Sequence, residues 1–243
     1  MANNSKTYFV FNERSILISY NHSINSKLIS NLSNTRKTIV THLNDCIIEV
    51  VQSINSILVI FDRTKISADD LIKKLKKIED TEDDLSESNK TWQIPVCYDL
   101  KFAIDLENFA KEKKLSTSEI INIHKSKVYD VLSMGFLPGF MYLGFTDKNL
   151  HCERKEVPSL DIKKGSIGIA LNQTCIYPQN SPGGWNLVGR TPINIFDQRK
   201  KEAILLSIGD YISFKKIIRE EFEDVYKKNK ISPVRIKKIN HND

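Results

Sequence analysis

The chain has 243 residues, enough for one large domain or two modest ones with ample core. Hydrophobic residues make up 40% and charged residues 27%, the balance of a soluble globular protein. The formal net charge is +6, but lysines and acidic residues are interspersed along most of the chain. No signature of a nucleic-acid-binding fold accompanies this charge, and the apolar run at 134–145 is too short to span a bilayer. Neither nucleic acid nor a membrane is therefore an expected partner.

The four cysteines, Cys46, Cys97, Cys152 and Cys175, lie far apart and form no C-x-x-C motif. The first residues, MANNSK, are polar and do not resemble a secretory leader. Together these features indicate free thiols in a reducing cytoplasm. His151 beside Cys152 is the only adjacent pair of soft metal ligands in the sequence, and without a second pair nearby no metal site is expected.

The first third of the chain predicts a small α+β domain. Segments of β-branched and aromatic composition predict strands at Thr7–Phe11, Ile16–Tyr20, Ile47–Val51 and Ile57–Phe61. An amphipathic helix is predicted from Asn25, where apolar residues recur at near-helical spacing. A second helix begins at Ser67, because Asp70 three residues later forms a capping box with it. We expect both helices on one face of an antiparallel sheet.

An acidic, polar segment at 79–90, EDTEDDLSESNK, follows this domain and predicts a linker. An acidic run of this kind is usually solvated, so we assign it no docking role. We place an N-terminal domain at 1–90, with the linker at its end, and a second domain at 91–226. The remaining residues, 227–243, form a polar, basic tail that is expected to fray.

The second domain opens with a predicted strand, Trp92–Tyr98, and a helix over Asp105–Lys114. Ser116 and Glu119 form a capping box that starts a short helix reaching His124. The candidate strands beyond it are Val128–Met134, Ser166–Leu171, Thr174–Tyr177, Trp185–Val188, Ile193–Phe196, Ile204–Leu206 and Tyr211–Lys216. Many short strands with regular turn punctuation indicate a closed or nearly closed β-barrel.

Two segments, Met134–Phe145 and Gln173–Pro192, combine glycine, proline and aromatic residues more densely than the rest of the chain. Glycine-rich turns let backbone approach a ligand or another chain closely, and aromatic side chains supply broad contact surfaces. The aromatic residues concerned are Phe136, Phe140, Tyr142, Phe145, Tyr177 and Trp185. The same composition also makes ordinary barrel corners, and the residues alone leave both interpretations open.

Several enzyme motifs are missing from the sequence: the phosphate loop G-x-x-x-x-G-K-[ST], G-x-G-x-x-G, H-E-x-x-H and G-x-S-x-G. The chain therefore shows no self-sufficient nucleotide site or nucleophile, and its catalytic residues stay unassigned. Arg190 lies in a turn-bounded position, where a guanidinium is suited to bidentate capture of a carboxylate or phosphate. A structural arginine that binds loop carbonyls is the alternative.

Five ordered blocks, GFLPGFMYLGF, GSIGIA, QTCIYP, SPGGWNLVGRTP and IFD, closely resemble the 5-oxoprolinase B-subunit family. That family is also named kinase inhibitor KipI or allophanate hydrolase subunit 1. The resemblance covers roughly residues 7–215 and implies that the barrel is cyclophilin-like. The expected fold is therefore α+β, with a small N-terminal α+β sandwich domain followed by a cyclophilin-like β-barrel domain.

The resemblance implies one component of an ATP-dependent 5-oxoprolinase, a hydrolase in which the B and C subunits work with a separate A subunit to convert 5-oxoproline to glutamate. The isolated chain is then expected to be inactive, and ATP is used by the complex. Similar proteins carry two other roles, as an inhibitor of a sporulation-type histidine kinase and as part of a urea carboxylase or allophanate hydrolase complex. All three roles share a two-domain body with a partner-facing cleft.

The resemblance also implies a substrate or partner cleft built from the two aromatic segments and from a histidine after the second barrel helix. Its candidate residues are His124, Phe136, Pro138, Gly139, Phe140, Tyr142, Gln173, Tyr177, Ser181, Gly183, Gly184, Trp185, Arg190 and Thr191. From the residues alone, a core-edge histidine with satisfied hydrogen bonds is the better interpretation of His124. Local packing is likewise the better interpretation of Tyr177.

Three places depart from the family pattern. Cys175 stands where the family usually has glycine, and Asp99–Ile104 replaces a glycine-rich turn. Ser159 follows Pro158 where the family usually has a Pro-Arg pair, so an anion site using that position would lack its arginine here. Because the neighbours of Cys175 are strong strand formers, we predict an extended backbone there, with the thiol packed in the barrel wall.

Overall fold

The computed structural model describes residues 6–78, 90–201, 203–204, 206–231 and 237–239. Its contacts divide the chain into two compact units, Met1–Ser88 and Asn89–Asp243. This division falls within two residues of the predicted boundary between residues 90 and 91. The predicted linker at 79–90 lies outside the described residues except for its last position.

The first unit is an antiparallel sheet with two helices, as the sequence predicted. Its strands are β1 (Lys6–Asn12), β2 (Ser15–Tyr20), β3 (Ile47–Gln52) and β4 (Ser56–Phe61), in the order β1-β2-β4-β3. Its helices are α1 (Ser26–His42) and α2 (Ala68–Lys76). Asn25 caps α1 by accepting the Leu28 backbone N–H at 2.9 Å, and Ser67 caps α2 by accepting that of Asp70.

One face of this sheet forms the core of the first unit. Alternate residues of the two central strands are buried beneath the helices, namely Ile16, Ile18, Tyr20, Ile57, Val59 and Phe61. The helices contribute Leu28, Ile29, Leu32, Ile39, Leu71 and Leu75 to the same layer. Because side chains repeat every two residues in the strands and about every 3.6 in the helices, one face of the sheet and one face of each helix are apolar, and these faces pack together.

The second unit is organised around a closed barrel of seven strands. In barrel order these are β12 (Asn186–Arg190), β9 (Ser166–Ala170), β10 (Gln173–Ile176), β7 (Met141–Gly144), β6 (Val128–Met134), β13 (Tyr211–Ile217) and β5 (Thr91–Cys97). The pairing of Arg190 with Cys97 joins β12 to β5 and closes the ring. A separate two-stranded ribbon pairs β8 (Ser159–Ile162) with β11 (Ser181–Gly183). The predicted α+β fold with a barrel in its second domain is confirmed.

Two helices pack against the barrel core, α3 (Leu106–Lys113) and α4 (Thr117–Ser126). The predicted capping box is present at α4, where Ser116 and Glu119 exchange side-chain and backbone hydrogen bonds. Phe109 and Ile120 from these helices join the inward side chains of the strands in one buried cluster. The segment predicted as a strand at 193–196 is not one, and among the described residues of 204–206 only Ile204 pairs, in an isolated bridge with Phe196.

The frayed tail predicted at 227–243 is wrong for the residues that the structure describes there. A helix, α5 (Arg219–Ile231), runs into this region, and β14 (Lys237–Ile239) pairs antiparallel with β5. Two contacts hold α5, because the Phe222 ring is buried and the Asn229 amide donates to the Pro192 carbonyl at 2.9 Å. None of the helices in the described ranges is long and apolar enough to cross a membrane.

Candidate functional site

The barrel interior contains a chain of buried hydrogen bonds centred on His124, which is fully buried. The Thr174 hydroxyl donates to the Gly168 carbonyl at 3.0 Å, so the Thr174 oxygen accepts a hydrogen bond from His124 Nε2, also at 3.0 Å. His124 Nδ1 then accepts the Tyr98 hydroxyl at 2.9 Å. Complete burial disfavours the charged imidazole, so His124 is neutral and carries its proton on Nε2. Burial lowers the pKa of His124 to about 3.

Packing around the same imidazole is equally complete. The ring stacks on Phe214 with centroids 4.8 Å apart, and the His124 backbone carbonyl accepts the Tyr129 hydroxyl at 2.7 Å. Both ring nitrogens are thus occupied by protein groups, and the side chain has no exposed surface. These contacts favour the core interpretation of His124, while its assignment to a cleft stays a prediction.

The two aromatic segments of the sequence meet on the outer face of the barrel wall. We call the resulting set of rings the outer aromatic cluster; it consists of Phe136, Phe140, Tyr142, Tyr177 and Trp185. Phe140 lies at its centre, with ring centroids 5.4 Å from Phe136, 4.9 Å from Tyr142 and 5.1 Å from Tyr177. The contact of Phe140 with Tyr177 is edge-to-face, a favoured geometry for aromatic pairs.

Exposure divides the outer aromatic cluster into a base and a surface. Phe140, Tyr177 and Trp185 are buried, so they build the base. Tyr142 is half-buried, and Phe136 is 63% exposed with a positive φ of 67°. Packing is thus the role that the contacts of Tyr177 favour, whereas Phe136 and Tyr142 are the rings that a ligand or partner can reach.

Glycines let backbone come close to these rings. A Cβ on Gly183 would lie 2.4 Å from the Tyr177 hydroxyl, and one on Gly139, whose φ is +79°, would lie 2.7 Å from Phe196 Cβ. Gly184 is less crowded, with its nearest neighbour, the Lys155 carbonyl oxygen, at 3.5 Å. Close approach therefore requires glycine at the first two positions but not at the third.

The remaining predicted polar residues are buried around the barrel. Gln173 lies at the start of β10, opposite Gly144, and is almost entirely buried. The buried Ser181 hydroxyl has no hydrogen-bond partner among the described residues. Thr191 is also buried, and its hydroxyl accepts the Ile193 backbone N–H at 3.2 Å. Pro138 is exposed in the loop before Phe140.

Arg190 lies apart from the outer aromatic cluster, in a box of three other rings. Its guanidinium carbon is 5.8 Å from the Phe102 centroid, 5.7 Å from that of Phe222 and 5.6 Å from that of Tyr226. Its Nε donates to the Lys164 carbonyl at 2.8 Å. These contacts match the alternative that the sequence left open, an arginine that binds loop carbonyls and stacks on rings.

A different arginine, Arg154, lies beside the outer aromatic cluster. Its Cβ is 3.7 Å from the position that a Cβ on Gly184 would take. Burial raises the pKa of the Tyr142 phenol, and the positive charge of Arg154 opposes that rise. The side chain is exposed, and its guanidinium has no hydrogen-bond or ion-pair partner in the described part of the chain. No pattern in the sequence points to it, because ERKEVP is an ordinary charged surface segment.

The loop that carries Arg154 is anchored by its neighbour. Lys155 Nζ donates to Asp105 Oδ2 at 2.8 Å and to the Ser159 hydroxyl at 2.7 Å. The Lys155 backbone N–H donates to the Gly184 carbonyl at 2.7 Å. Arg154 is therefore held at a fixed place next to the glycine turn, although its own guanidinium has no partner among the described residues.

The model of the carboxyltransferase domain family, subdomain C and D, matches residues 7–206. The 5-oxoprolinase B subunit of Bacillus subtilis (strain 168) is 38% identical over 147 residues, which cover 60% of this chain and 61% of that protein. The 5-oxoprolinase B subunit of Escherichia coli O157:H7 is 36% identical over 168 residues, which cover 69% of this chain and 77% of that protein. The chain belongs to the 5-oxoprolinase B-subunit family.

A solved structure extends the likeness in fold. The Kluyveromyces lactis urea carboxylase superposes with a TM-score of 0.76 at 21% identity, over 98% of this chain and 24% of that chain. This likeness shows the fold alone. The match with the Bacillus subtilis protein spans 61% of the length of that protein.

Two departures of this member from its family acquire a physical meaning in the structure. Cys175 lies in β10 with its side chain fully buried and is absent from the positive-φ residues, so the predicted extended backbone is confirmed. Ser159, where the family usually has arginine, accepts the Lys155 ammonium. The Lys155 ammonium at this place is also paired with the Asp105 carboxylate, at 2.8 Å.

Proposed function

We propose that this chain is the B subunit of an ATP-dependent 5-oxoprolinase, a cyclic-amide hydrolase that works with the A and C subunits to convert 5-oxoproline to glutamate. The observation that supports this most directly is the likeness to two 5-oxoprolinase B subunits. The family match over 7–206 also contains the whole outer aromatic cluster. ATP is used by the complex, and the sequence carries no phosphate loop of its own.

The outer aromatic cluster has the chemistry that 5-oxoproline requires. The substrate combines a carboxylate with a compact, partly apolar lactam ring, so its site needs a cation beside an apolar surface. Arg154 has a guanidinium without a partner among the described residues, and Tyr142 offers both a ring face and a hydroxyl. We assign the substrate carboxylate to Arg154 and the lactam ring to Tyr142 and Phe136, with Trp185 beneath them.

Reconstitution tests this function. The chain is purified together with a homologue of the C subunit, the A subunit is added, and glutamate release from 5-oxoproline is measured with and without ATP. We expect ATP-dependent release from the three proteins together and none from this chain alone. Turnover by the chain alone, or no turnover by the complete set, would contradict the proposal.

The exposed Phe136 favours a second candidate, an inhibitor that binds a sporulation-type histidine kinase. A ring that is 63% exposed on a loop is also suited to anchoring a protein partner. Autophosphorylation of such a kinase is measured with the wild-type chain and with Phe136→Ala. Inhibition that is lost in the variant, together with an inactive reconstituted complex, would select this candidate over the first.

We place the working protein in a reducing compartment, the cytoplasm. Its four cysteines are free thiols and all are buried. Burial raises the pKa of the Cys175 thiol, and it raises that of Cys152 as well, so both resist ionisation. Fractionation of cells that express the untagged chain tests this, and recovery with secreted proteins would contradict it.

A further inference from the structure

The sheet of the first unit has a second face, opposite its helices, which we call the open face. Register fixes its members, because Phe9 pairs with Leu17, Leu17 with Leu58, and Leu58 with Val51. These four side chains form one row across all four strands. They alternate with the buried residues that face the helices, so they point to the other side of the sheet.

From the Phe9 row to the β1–β2 turn the open face is apolar, where an antiparallel sheet normally presents polar residues to water, whereas the next row, Thr7, Ser19 and Ser56, is polar. Phe9 is 61% exposed, Phe11 is 59% exposed and Ile48 is 55% exposed. Leu17, Leu58 and Ile60 continue the apolar surface between them as half-buried residues. A continuous apolar patch of this kind marks a protein interaction site.

A recess of about 560 Å³ occupies the end of the open face nearest the β1–β2 turn. Phe11 and Ile48 border it, and Leu58, Ile60 and Ser15 line it as well. Ser15 is 3% exposed, and its hydroxyl has no hydrogen-bond partner within the described residues.

Two charged side chains flank the recess with opposite signs. Arg14 lies in the turn between β1 and β2, on one side of the recess. Glu49 lies on β3 and pairs with Ile60, so it reaches the open face from the other edge of the sheet. Neither forms an ion pair with any residue that the structure describes. Arg14 and Glu49 therefore place opposite charges at this end of the sheet, where the Asp62 carboxylate also lies within electrostatic reach of Arg14.

We propose that the open face binds the open face of a second copy of this chain, related by a two-fold axis parallel to the strands. Such an axis exchanges the two edges of the sheet and keeps its ends aligned. β1 then lies over β3 of the second copy, so the large Phe9 meets the small Val51. Arg14 of each copy meets Glu49 of the other, and both charges are matched twice.

Area supports a reversible dimer. Four strands about 4.8 Å apart and about 20 Å long present roughly 400 Å² in projection, which projecting side chains enlarge. A standard interface buries about 800 Å² from each partner, so this one lies below the usual size, and we expect a weak, reversible dimer with a dissociation constant no tighter than micromolar. Sheets packed face to face in this way form the core of a β-sandwich.

Sedimentation equilibrium of the full-length chain tests the proposal. We expect wild type to be a monomer–dimer mixture, and Phe9→Asp to weaken the dimer about a hundredfold or more, because each dimer then buries two unpaired carboxylates. Phe9 is largely exposed in the free chain, so its replacement leaves the fold intact by circular dichroism. Leu160→Asp is the matched control, since Leu160 is 87% exposed in the other unit and should leave the dimer unchanged.

A charge exchange tests the orientation of the two copies. Arg14→Glu and Glu49→Arg should each weaken the dimer about three- to tenfold, and the double variant should recover wild-type association. Failure of the double variant to recover would overturn the two-fold arrangement.

Two further outcomes would overturn the dimer itself. One is a wild-type chain that stays monomeric at about 200 µM, a concentration well above a micromolar dissociation constant. The other is a monomeric wild type whose Phe9→Asp variant fails to bind a homologue of the C subunit. That result would assign the open face to a different partner.

Discussion

The two faces of strand β10 differ in role: its inward side chains stabilise the barrel, and its outward side chains support the proposed binding surface. Thr174 points inward and completes the hydrogen bonds of His124, where every polar group has a protein partner. Cys175 points outward into the base of the outer aromatic cluster, and beyond it Arg154 has a guanidinium without a partner among the described residues. A satisfied buried histidine is therefore a poor sign of function here, whereas an unpaired cation beside exposed rings is a better one.

Two arginines repeat this contrast on the surface. Arg190 is half-buried among three rings and donates to a backbone carbonyl. Arg154 is exposed and unpaired within the described residues. The sequence singled out Arg190 and not Arg154, and only the surroundings in the structure distinguish their roles.

The largest effect is expected at His124. His124→Ala should lower the free energy of unfolding by about 3–5 kcal/mol, because it leaves a cavity and removes the partners of the Tyr98 and Thr174 hydroxyls. Urea denaturation measures this change. The outer-face control, Phe136→Ala, should cost less than about 1 kcal/mol, since that ring is mostly exposed. Equal losses of unfolding free energy in the two variants would contradict the distinction between the buried inner face and the exposed outer face.

The same histidine should make stability depend on pH. Its folded pKa, about 3, lies below the ordinary 6.5, so between these values the unfolded chain binds the extra proton. The contribution of His124 to the free energy of unfolding is then fully present above pH 6.5. It falls as the pH drops towards 3, with a limiting slope of about 1.4 kcal/mol per pH unit. Urea denaturation between pH 7 and pH 5 measures this slope.

Two variants separate this histidine from the others. His124→Gln should remove its contribution to the slope, while His42→Gln, at an exposed position, should retain it. A wild-type stability that stays flat between pH 7 and pH 5 would show that His124 is protonated in the folded protein.

A smaller effect is expected at Arg190. Arg190→Lys keeps the charge but loses the planar stacking on three rings and the bond to the Lys164 carbonyl. We expect a loss of about 1–2 kcal/mol in unfolding free energy, with normal activity in the reconstituted complex. Arg199→Lys is the control, because Arg199 is exposed and pairs only with Asp197 among described residues. If Arg190→Lys left stability unchanged but abolished activity, Arg190 would instead be a residue that binds the substrate or a partner.

The smallest effect is expected at Cys175. Cys175→Gly should cost about 0.5–1 kcal/mol from backbone entropy, plus the packing of a thiol that lies 3.2 Å from the position of a Cβ on Gly168. Cys175→Ala should lose less unfolding free energy, because alanine, unlike glycine, does not add backbone freedom to the unfolded chain. Thermal unfolding compares the two variants. A higher melting temperature for Cys175→Gly would mean that this position prefers the family's glycine.

Local chemistry made much of the fold predictable. The cap at Ser116 and Glu119 needs only residues three apart, and the barrel strands follow from short β-branched runs between turns. The same local view failed at the C-terminus, where α5 depends on the Asn229 contact with Pro192, 37 positions away. Polar composition alone could not reveal that partner.

The site was predictable only in part, for a similar reason. Phe140 and Trp185 were both found as aromatic residues in glycine-rich segments, and the structure brings them together. The box around Arg190 unites Phe102 with Phe222 across the length of the second unit, which no local pattern encodes. Arg154 could not be predicted, because its neighbours in space, Gly184 and Tyr142, are distant from it in the sequence.

The most direct test of the proposed substrate site is the rate of glutamate release by the reconstituted complex that carries Arg154→Gln. Loss of the charge that binds the substrate carboxylate should reduce kcat/KM for 5-oxoproline about a hundredfold, mainly through KM, because such charged contacts contribute about 2–3 kcal/mol. The melting temperature of the chain should stay that of wild type, since the guanidinium has no partner among the described residues. Wild-type kcat/KM in this variant would contradict the assignment of the outer aromatic cluster as the substrate site.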